Sequence, residues 1–204
     1  MGGDFYDVLP LPDGKWGVCV GDVSGKGIPV ALFMAKAISE FSREADSSAP
    51  SAVIKRLNTK IASESSSGLF LTLLYLVADP ASSKFSYSNG GHEPILLYRS
   101  RNRSIEILSA HGGAPLGIDA AGVFDEGDVT IAKGDVLLLQ SDGVKEAMNP
   151  KREMFGIERI KSILMDSGPL GAPAVIDRLL DDLKAFVREA PQHDDMTILC
   201  AKFS

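Results

Sequence analysis

Residues 69–79 read L-F-L-T-L-L-Y-L-V-A-D, followed by Pro80. From 69 to 77 the run is nearly continuous apolar, with Thr72 inside it, and reads as a central strand. Asp79-Pro80 turns the chain. Phe85 and Tyr87 then alternate with Lys84, Ser86 and Ser88, and Asn89-Gly90-Gly91 turns it again. Residues 95–98, 105–108, 129–131 and 136–139 continue the strand series, with turn signals between them. Between residues 69 and 141 there is no room for a crossover helix, so these strands should pair mainly antiparallel.

Outward from that run the periodicity changes. On the N-terminal side, residues 4–8 are short, acidic and aromatic, and Pro10, Pro12, Asp13 and Gly14 form a turn. Trp16, Val18 and Val20 then alternate with Gly17, Cys19 and Gly21 as a strand apolar or small on both faces. Ile28, Leu32, Ala35 and Ile38 have helical spacing, and Phe33, Met34, Ala37 and Phe41 widen the stripe, which predicts a largely buried helix. After Ser47-Ser48-Ala49-Pro50, a second helix carries Val53, Leu57 and Ile61 on one face, with Pro50 in its first turn. On the C-terminal side, Ile157, Ile160 and Leu164 mark a third helix. Val175, Leu179, Leu183 and Val187 mark a fourth, with Pro173 near its start, and residues 196–203 close the chain as a strand. One early and one late group of helices flank a run of strands. The pattern predicts an α+β fold: a mainly antiparallel double β-sheet sandwich with a helix layer on each side. No repeat, linker or low-complexity segment divides residues 1–204, which read as a single domain.

The composition, 45% apolar and 24% charged over 204 residues, is that of a globular chain with a sizeable core. A net charge of −6 gives no general attraction for nucleic acid or an anionic membrane. Lys151, Arg152, Arg159 and Lys161 form a local basic cluster, but Glu153 and Glu158 interrupt it, and it reads as a solvated helix face. Cys19 and Cys200 lie in apolar runs and read as reduced core thiols, which suits a cytoplasmic protein. No window approaches the roughly 18–20 consecutive apolar residues of a membrane span, and no signal peptide opens the chain. Met1-Gly2-Gly3-Asp4 begins directly in a glycine–aspartate motif, from which a longer parent is expected.

Candidate chemistry collects at acidic turns. Asp4 follows Gly2-Gly3, and Asp22 sits in G-D-V-S-G-K-G (21–27) between a strand and a helix. Asp142 sits in Ser141-Asp142-Gly143, and Asp194 and Asp195 follow His193. Strands aligned in one sheet would bring these carboxylates to a common edge. Clustered carboxylates repel unless cations compensate them. Oxygen ligands suit Mg²⁺ or Mn²⁺, whereas His92, His111 and His193 show no pairing at helical spacing for zinc. Each aspartate alone is ordinary turn chemistry, and the inference rests on the set. Two lookalikes fail. In a phosphate-binding P-loop, G-x-x-x-x-G-K-[ST], the glycines stand one residue further apart than Gly21 and Gly25. Gly27 also replaces its hydroxyl, and Asp22 would repel phosphate. Gly2-Gly3-Asp4-Phe5 is superficially similar to a nucleotide-cyclase turn, but Phe5 replaces the acid expected there.

The motifs G-G-D-F-Y-D (2–7), G-D-V-S-G-K-G (21–27), G-G-H-E-P (90–94) and L-G-I (116–118) occur in that order. S-D-G-V-K-E-A (141–147), F-G-I-E-R (155–159) and H-D-D-M-T (193–197) follow them. This series resembles the metal-dependent PPM serine/threonine phosphatases, in the bacterial branch of the SpoIIE and RsbU phosphatases, over essentially the whole chain. The resemblance implies two ions, Mn²⁺ or Mg²⁺. Asp22 would bridge them with the Val23 carbonyl as a neighbouring ligand, Asp142 and Asp194 would hold the first, and Asp4 would serve the second. Gly143 and Asp195 take supporting roles. The implied reaction is hydrolysis of phosphoserine or phosphothreonine by a water bridging the two metals, with no covalent phosphoenzyme. The catalytic set is thus Asp22, Asp142 and Asp194, with no organic cofactor.

The resemblance also implies a phosphorylated regulatory protein as substrate, such as an anti-sigma-factor antagonist. An N-terminal sensor domain or activator would act through the first helices, and a dimer is compatible with it. No nucleic acid and no membrane insertion are expected. An upstream arginine grips phosphate in many eukaryotic relatives, and this chain shows no counterpart; Lys26 and Arg43 are near only in sequence and are not assigned. The first sheet strand is expected to be absent with the upstream residues. His92 reads as a hydrogen-bonded structural histidine and Thr72 as a core hydroxyl. The alternatives are a noncatalytic partner-binding module of the same fold and a nucleotide-binding enzyme. Retention of Asp4, Asp22, Asp142 and Asp194 together argues against the first.

Overall fold

The computed structural model describes residues 2–64, 68–109 and 113–204. They fall into two compact units, Met1–His92 with Ser109–Thr130, and Glu93–Leu108 with Ile131–Ser204. Each unit is one antiparallel sheet with its own helices.

The first unit contains β1 (Asp4–Pro10), β2 (Trp16–Val23), β3 (Leu71–Asp79), β4 (Lys84–Gly90) and β7 (Glu126–Thr130), in the order β1-β2-β3-β4-β7. Every ladder is antiparallel, including that of β2 with β3, which are joined through two helices. Pro12–Gly14 makes the tight turn between β1 and β2. Two helices, α1 (Ile28–Glu44) and α2 (Pro50–Glu64), cover one face. Alternation decides that face: Cys19, Leu71, Leu73, Tyr75 and Val77 pack with Phe41, Val53, Leu57 and Ile61. Phe41 meets Tyr75 edge-on, ring centres 5.1 Å apart. The motif at 116 belongs here too. Leu116 and Leu71 exchange backbone hydrogen bonds of 3.0 and 2.7 Å, and Asn58 Oδ1 accepts from the Gly117 N–H at 2.9 Å.

α1 departs from the expected burial. Val30, Ala37 and Phe41 are buried, but Ile28 and Leu32 are 70% and 68% exposed. Apolar residues surround so much of this helix that periodicity could not choose the inner stripe. The line through Val30, Ala37 and Phe41 packs on the sheet, and that through Ile28 and Leu32 faces away from this unit's core. Lys60 and Arg56 of α2 bridge Glu40 and Glu44 of α1, with Lys60 Nζ 3.2 Å from Glu40 Oε2 and Arg56 Nε 2.8 Å from Glu44 Oε2. These pairs, half-exposed on their basic side, join the two helices and add little stability.

The second unit contains β5 (Ile95–Arg99), β6 (Ser104–Leu108), β8 (Val136–Gln140) and β9 (Ile198–Lys202), in the order β6-β5-β8-β9. The closing strand therefore returns to pair with β8. α4 (Ile157–Ser167) and α5 (Ala172–Val187) cover Leu96, Tyr98, Val136 and Leu138 with Ile160, Leu164, Val175 and Leu179. A four-residue helix, α3 (Asp142–Lys145), was not legible in the sequence because one turn carries no periodicity. Lys151 and Arg152 lie in the turn preceding α4, and only Arg159 and Lys161 are on a helix. The helix-face reading of the basic cluster is corrected to that extent.

Candidate functional site

In the first unit, the β1–β2 register sets Asp4 directly opposite Asp22. Directly opposed residues carry their Cβ atoms about 4.5–5.5 Å apart, and like charges there are destabilising unless a cation balances them. Gly3 closes the arrangement. Its carbonyl accepts the Val23 N–H at 3.1 Å. A Cβ on Gly3 would stand 2.5 Å from the Val23 oxygen and 2.8 Å from Asp22 Oδ1. The glycine thus abuts both the carboxylate and the carbonyl singled out as ligands, which spacing alone did not reveal.

The turn leaving β2 is held from below. The Ser24 N–H donates to the Phe70 carbonyl at 2.9 Å, and Ser24 Oγ accepts the Phe70 N–H at 3.0 Å. Gly25 and Gly27 then take φ of 97° and 100°, a left-handed region that launches α1 without a side-chain cap. Thr72, opposite Asp22 on β3, places its hydroxyl 3.4 Å from the Asp22 carbonyl and 2.9 Å from His92 Nδ1. Asn89 grips His92 on its backbone, accepting its N–H at 2.7 Å and donating to its carbonyl at 2.9 Å. His92 is hydrogen-bonded, as the sequence led us to expect, and steadies the strand behind Asp22.

In the second unit, Ser141 is fully buried at the end of β8. Its N–H donates to the Thr197 carbonyl at 3.0 Å, and its Oγ accepts the Thr197 N–H at 2.9 Å. Asp142 follows as the first residue of α3. A Cβ on Gly143 would overlap the Asp195 carbonyl oxygen and lie 3.5 Å from the Asp194 Cβ. The residue after Asp142 is therefore pressed against the Asp194–Asp195 backbone, and only glycine permits it. Asp194 Oδ1 accepts the Asp195 N–H at 3.0 Å, and Gln192 Nε2 donates to the Asp194 carbonyl at 2.7 Å.

Sequence reasoning missed Lys145 and Glu93, although both lie in the motifs quoted above. Lys145 Nζ meets Glu93 Oε1 at 2.8 Å, tying the loop before β5 to α3. Burial works against the lysine charge, but Glu93, then Glu146 and Asp142, outweigh it and hold Lys145 above the ordinary lysine range. Arg43 pairs with Glu40 at 2.6 Å on the surface of α1. His111 lies outside the described residues.

Among the described residues, no three His, Cys, Asp or Glu side chains form one metal-binding cluster. The acidic residues instead stand as Asp4 opposite Asp22 in one unit, and in the other as Asp142, whose neighbour Gly143 abuts the Asp194–Asp195 segment. The donors are all oxygen, and Asp4 Oδ2 is sequestered from solvent beside a second carboxylate. Both features fit a hard divalent cation such as Mg²⁺ or Mn²⁺. Thiol chemistry has no foothold: burial pushes the Cys200 thiol up to about 12 and that of Cys19 further still.

A family profile described as stage II sporulation protein E (SpoIIE) matches residues 12–204. The phosphoserine phosphatase RsbU of Bacillus subtilis is 28% identical over 98% of this chain, which spans 58% of that protein. The SiaA-PP2C domain of Pseudomonas aeruginosa has a TM-score of 0.86 at 23% identity, over all of this chain and 81% of that one. The structure of the RsbU and RsbW domains of Rv1364c from Mycobacterium tuberculosis gives 0.80 at 25% identity, over all of this chain and 57% of that one. The chain thus has the fold of PP2C-type phosphatase domains.

Proposed function

The chain belongs to the SpoIIE family, and on that premise we propose that it is a metal-dependent serine/threonine protein phosphatase. Its substrate class is a phosphorylated bacterial regulatory protein, such as an anti-sigma-factor antagonist. The observation that carries this reading is the pairing of Asp4 with Asp22 around Gly3, matched by Gly143 pressed on Asp194–Asp195. Asp4, Asp22 and the Val23 carbonyl would hold cation on the first unit, and Asp142 and Asp194 on the second. When bound, Mn²⁺ or Mg²⁺ would supply activation of water and neutralisation of phosphoryl charge. The chain's own part is positional. Thr72 and His92 hold the backbone of Asp22, Ser141 and Thr197 hold that of Asp142, and Gly143 and Asp195 set the loop of Asp194.

The curated relative RsbU extends well beyond the part this chain spans. A sensor domain or activator that governs the phosphatase, and action in the cytoplasm, are part of the proposal. No helix among the described residues is long and apolar enough to cross a membrane.

The test is turnover of p-nitrophenyl phosphate and of a phosphoserine peptide with Mn²⁺, with chelator as control. Asp22→Asn and Asp142→Asn should each lose at least about 100-fold in kcat/KM while keeping the circular dichroism of the wild type. Undiminished activity in both variants would sink the ligand assignment. A folded wild-type chain that turns over neither substrate would favour a noncatalytic module.

A further inference from the structure

The basic cluster of the sequence divides in the structure. Arg159 and Lys161, on α4, are both engaged. The Arg159 guanidinium lies 4.6 Å from the Phe186 ring centre and donates to the Met154 and Phe155 carbonyls, and Lys161 pairs with Glu158 at 2.8 Å. Lys151 and Arg152 lie on a turn closed by a bridge between Met148 and Met154. Among the described residues, neither of these two side chains has an acidic partner. Asn149 braces the turn, its Oδ1 accepting the N–H groups of Lys151 at 2.9 Å and Glu153 at 3.0 Å. Its Nδ2 donates to Glu153 Oε2 at 2.7 Å, which draws the neighbouring acid away from Arg152. Arg152 is held left-handed at φ 63°, with its N–H on the Asn149 carbonyl at 2.8 Å. An uncompensated cation on a stiff, strained turn is an arrangement that folding alone does not require.

Arg152 lines a cleft of about 690 Å³ together with Met148, Pro150, Glu189, Pro191 and His193. Met148, Pro191 and His193 also line a recess of about 70 Å³ that contains Gly143 and Asp194. The depressions share a wall on the second unit, with Arg152 in the outer one and Asp194 in the inner.

We propose that the outer cleft seats the polypeptide segment flanking the phosphorylated residue of the substrate, with Arg152 pairing a carboxylate side chain on that segment. This rests on the phosphatase reading above. A guanidinium fork takes two carboxylate oxygens at once, and the apolar walls of Met148, Pro150 and Pro191 strengthen such a pair relative to one in open water. Arg152 lines the outer cleft and not the recess that contains Asp194, which directs it to a flanking acid rather than the phosphoryl group.

Three substrates test this: a phosphoserine peptide with aspartates beside the phosphorylated residue, the same peptide with alanines there, and p-nitrophenyl phosphate. Arg152→Ala should lower kcat/KM for the acidic peptide about 10-fold, chiefly through KM, and change the other two by less than about 2-fold. Arg152→Glu should shift the preference toward a lysine-flanked peptide. An equal loss on all three substrates would place Arg152 at the phosphoryl group and overturn the proposal, as would no loss on the acidic peptide. Anisotropy of a fluorescent acidic peptide, with metal-free protein, reads docking without turnover. A Kd at least about 5-fold weaker in Arg152→Ala supports the cleft, and an equal Kd overturns it. If no substrate is turned over, the phosphatase reading fails, while the anisotropy still decides the cleft.

Discussion

Asp4 and Asp22 face each other because two strands pair in register, whereas the segments carrying Asp142 and Asp194 come together at Gly143, which has no side chain. The first arrangement is a ladder property. Seven residues of β1 face β2 in unbroken register, and shifting one aspartate means shifting the strand. The second is a loop property. Asp142 heads a single helical turn, Asp194 lies in the segment entering β9, and their approach depends on the contact of Gly143 with the Asp195 carbonyl. A ladder distributes a disturbance over many hydrogen bonds, whereas a single close approach concentrates it.

The largest expected effect follows from that difference. Gly143→Ala must drive the Asp195 backbone away, and a shift of about 1 Å at reacting groups can cost 100-fold, so kcat/KM should fall by about that factor. In Gly3→Ala the nearest obstacle is the Val23 oxygen at 2.5 Å, and β1 is an edge strand paired on one side only. It can yield, and a loss of about 10-fold is expected. Steady-state kinetics of the two variants side by side would reverse the comparison if Gly3→Ala proved the more damaging.

Only part of each arrangement was legible in the sequence: residues 4–8 read as a short acidic, aromatic stretch, and the ladder of β1 on β2 was not foreseen. The strand ends carrying Asp22 and Asp142 followed from alternation and turn residues, and so did the antiparallel pairing of β3 with β4. The exposed side of α1 was not legible, because Ile28 and Leu32 extend the same apolar surface as Val30 and Phe41. Nor was the contact of Gly143 with Asp195, which joins residues far apart in the chain and leaves no periodic trace. Arg152 was visible only as one member of a charge cluster. Its separation from Arg159 depends on where α4 begins, and Gly156 at φ 81° sets that boundary.

A smaller effect tests whether a carboxylate in the second unit can be purely structural. Asp135 is buried and accepts from the Ser100 N–H at 2.8 Å, the Ala132 N–H at 3.1 Å and Arg99 Nη1 at 3.2 Å. Burial alone would raise its pKa, but these donors outweigh it and hold the carboxyl below the ordinary value of 3.8. Its contribution is therefore present above that value and lost as pH falls through the lowered one. Asp135→Asn should cost about 1–3 kcal/mol near neutral pH, with the deficit shrinking in strong acid, read by urea unfolding across pH. Phosphatase activity below the unfolding range should be unchanged. A loss of turnover without a loss of stability would show that Asp135 acts in more than the fold.

The most direct measurement is an anomalous difference map from a crystal soaked in Mn²⁺. The account predicts manganese within about 2.5 Å of carboxylate oxygens of Asp22 and Asp4 with the Val23 carbonyl, and of Asp142 and Asp194. Manganese absent from both pairs, at concentrations that sustain turnover, would contradict it.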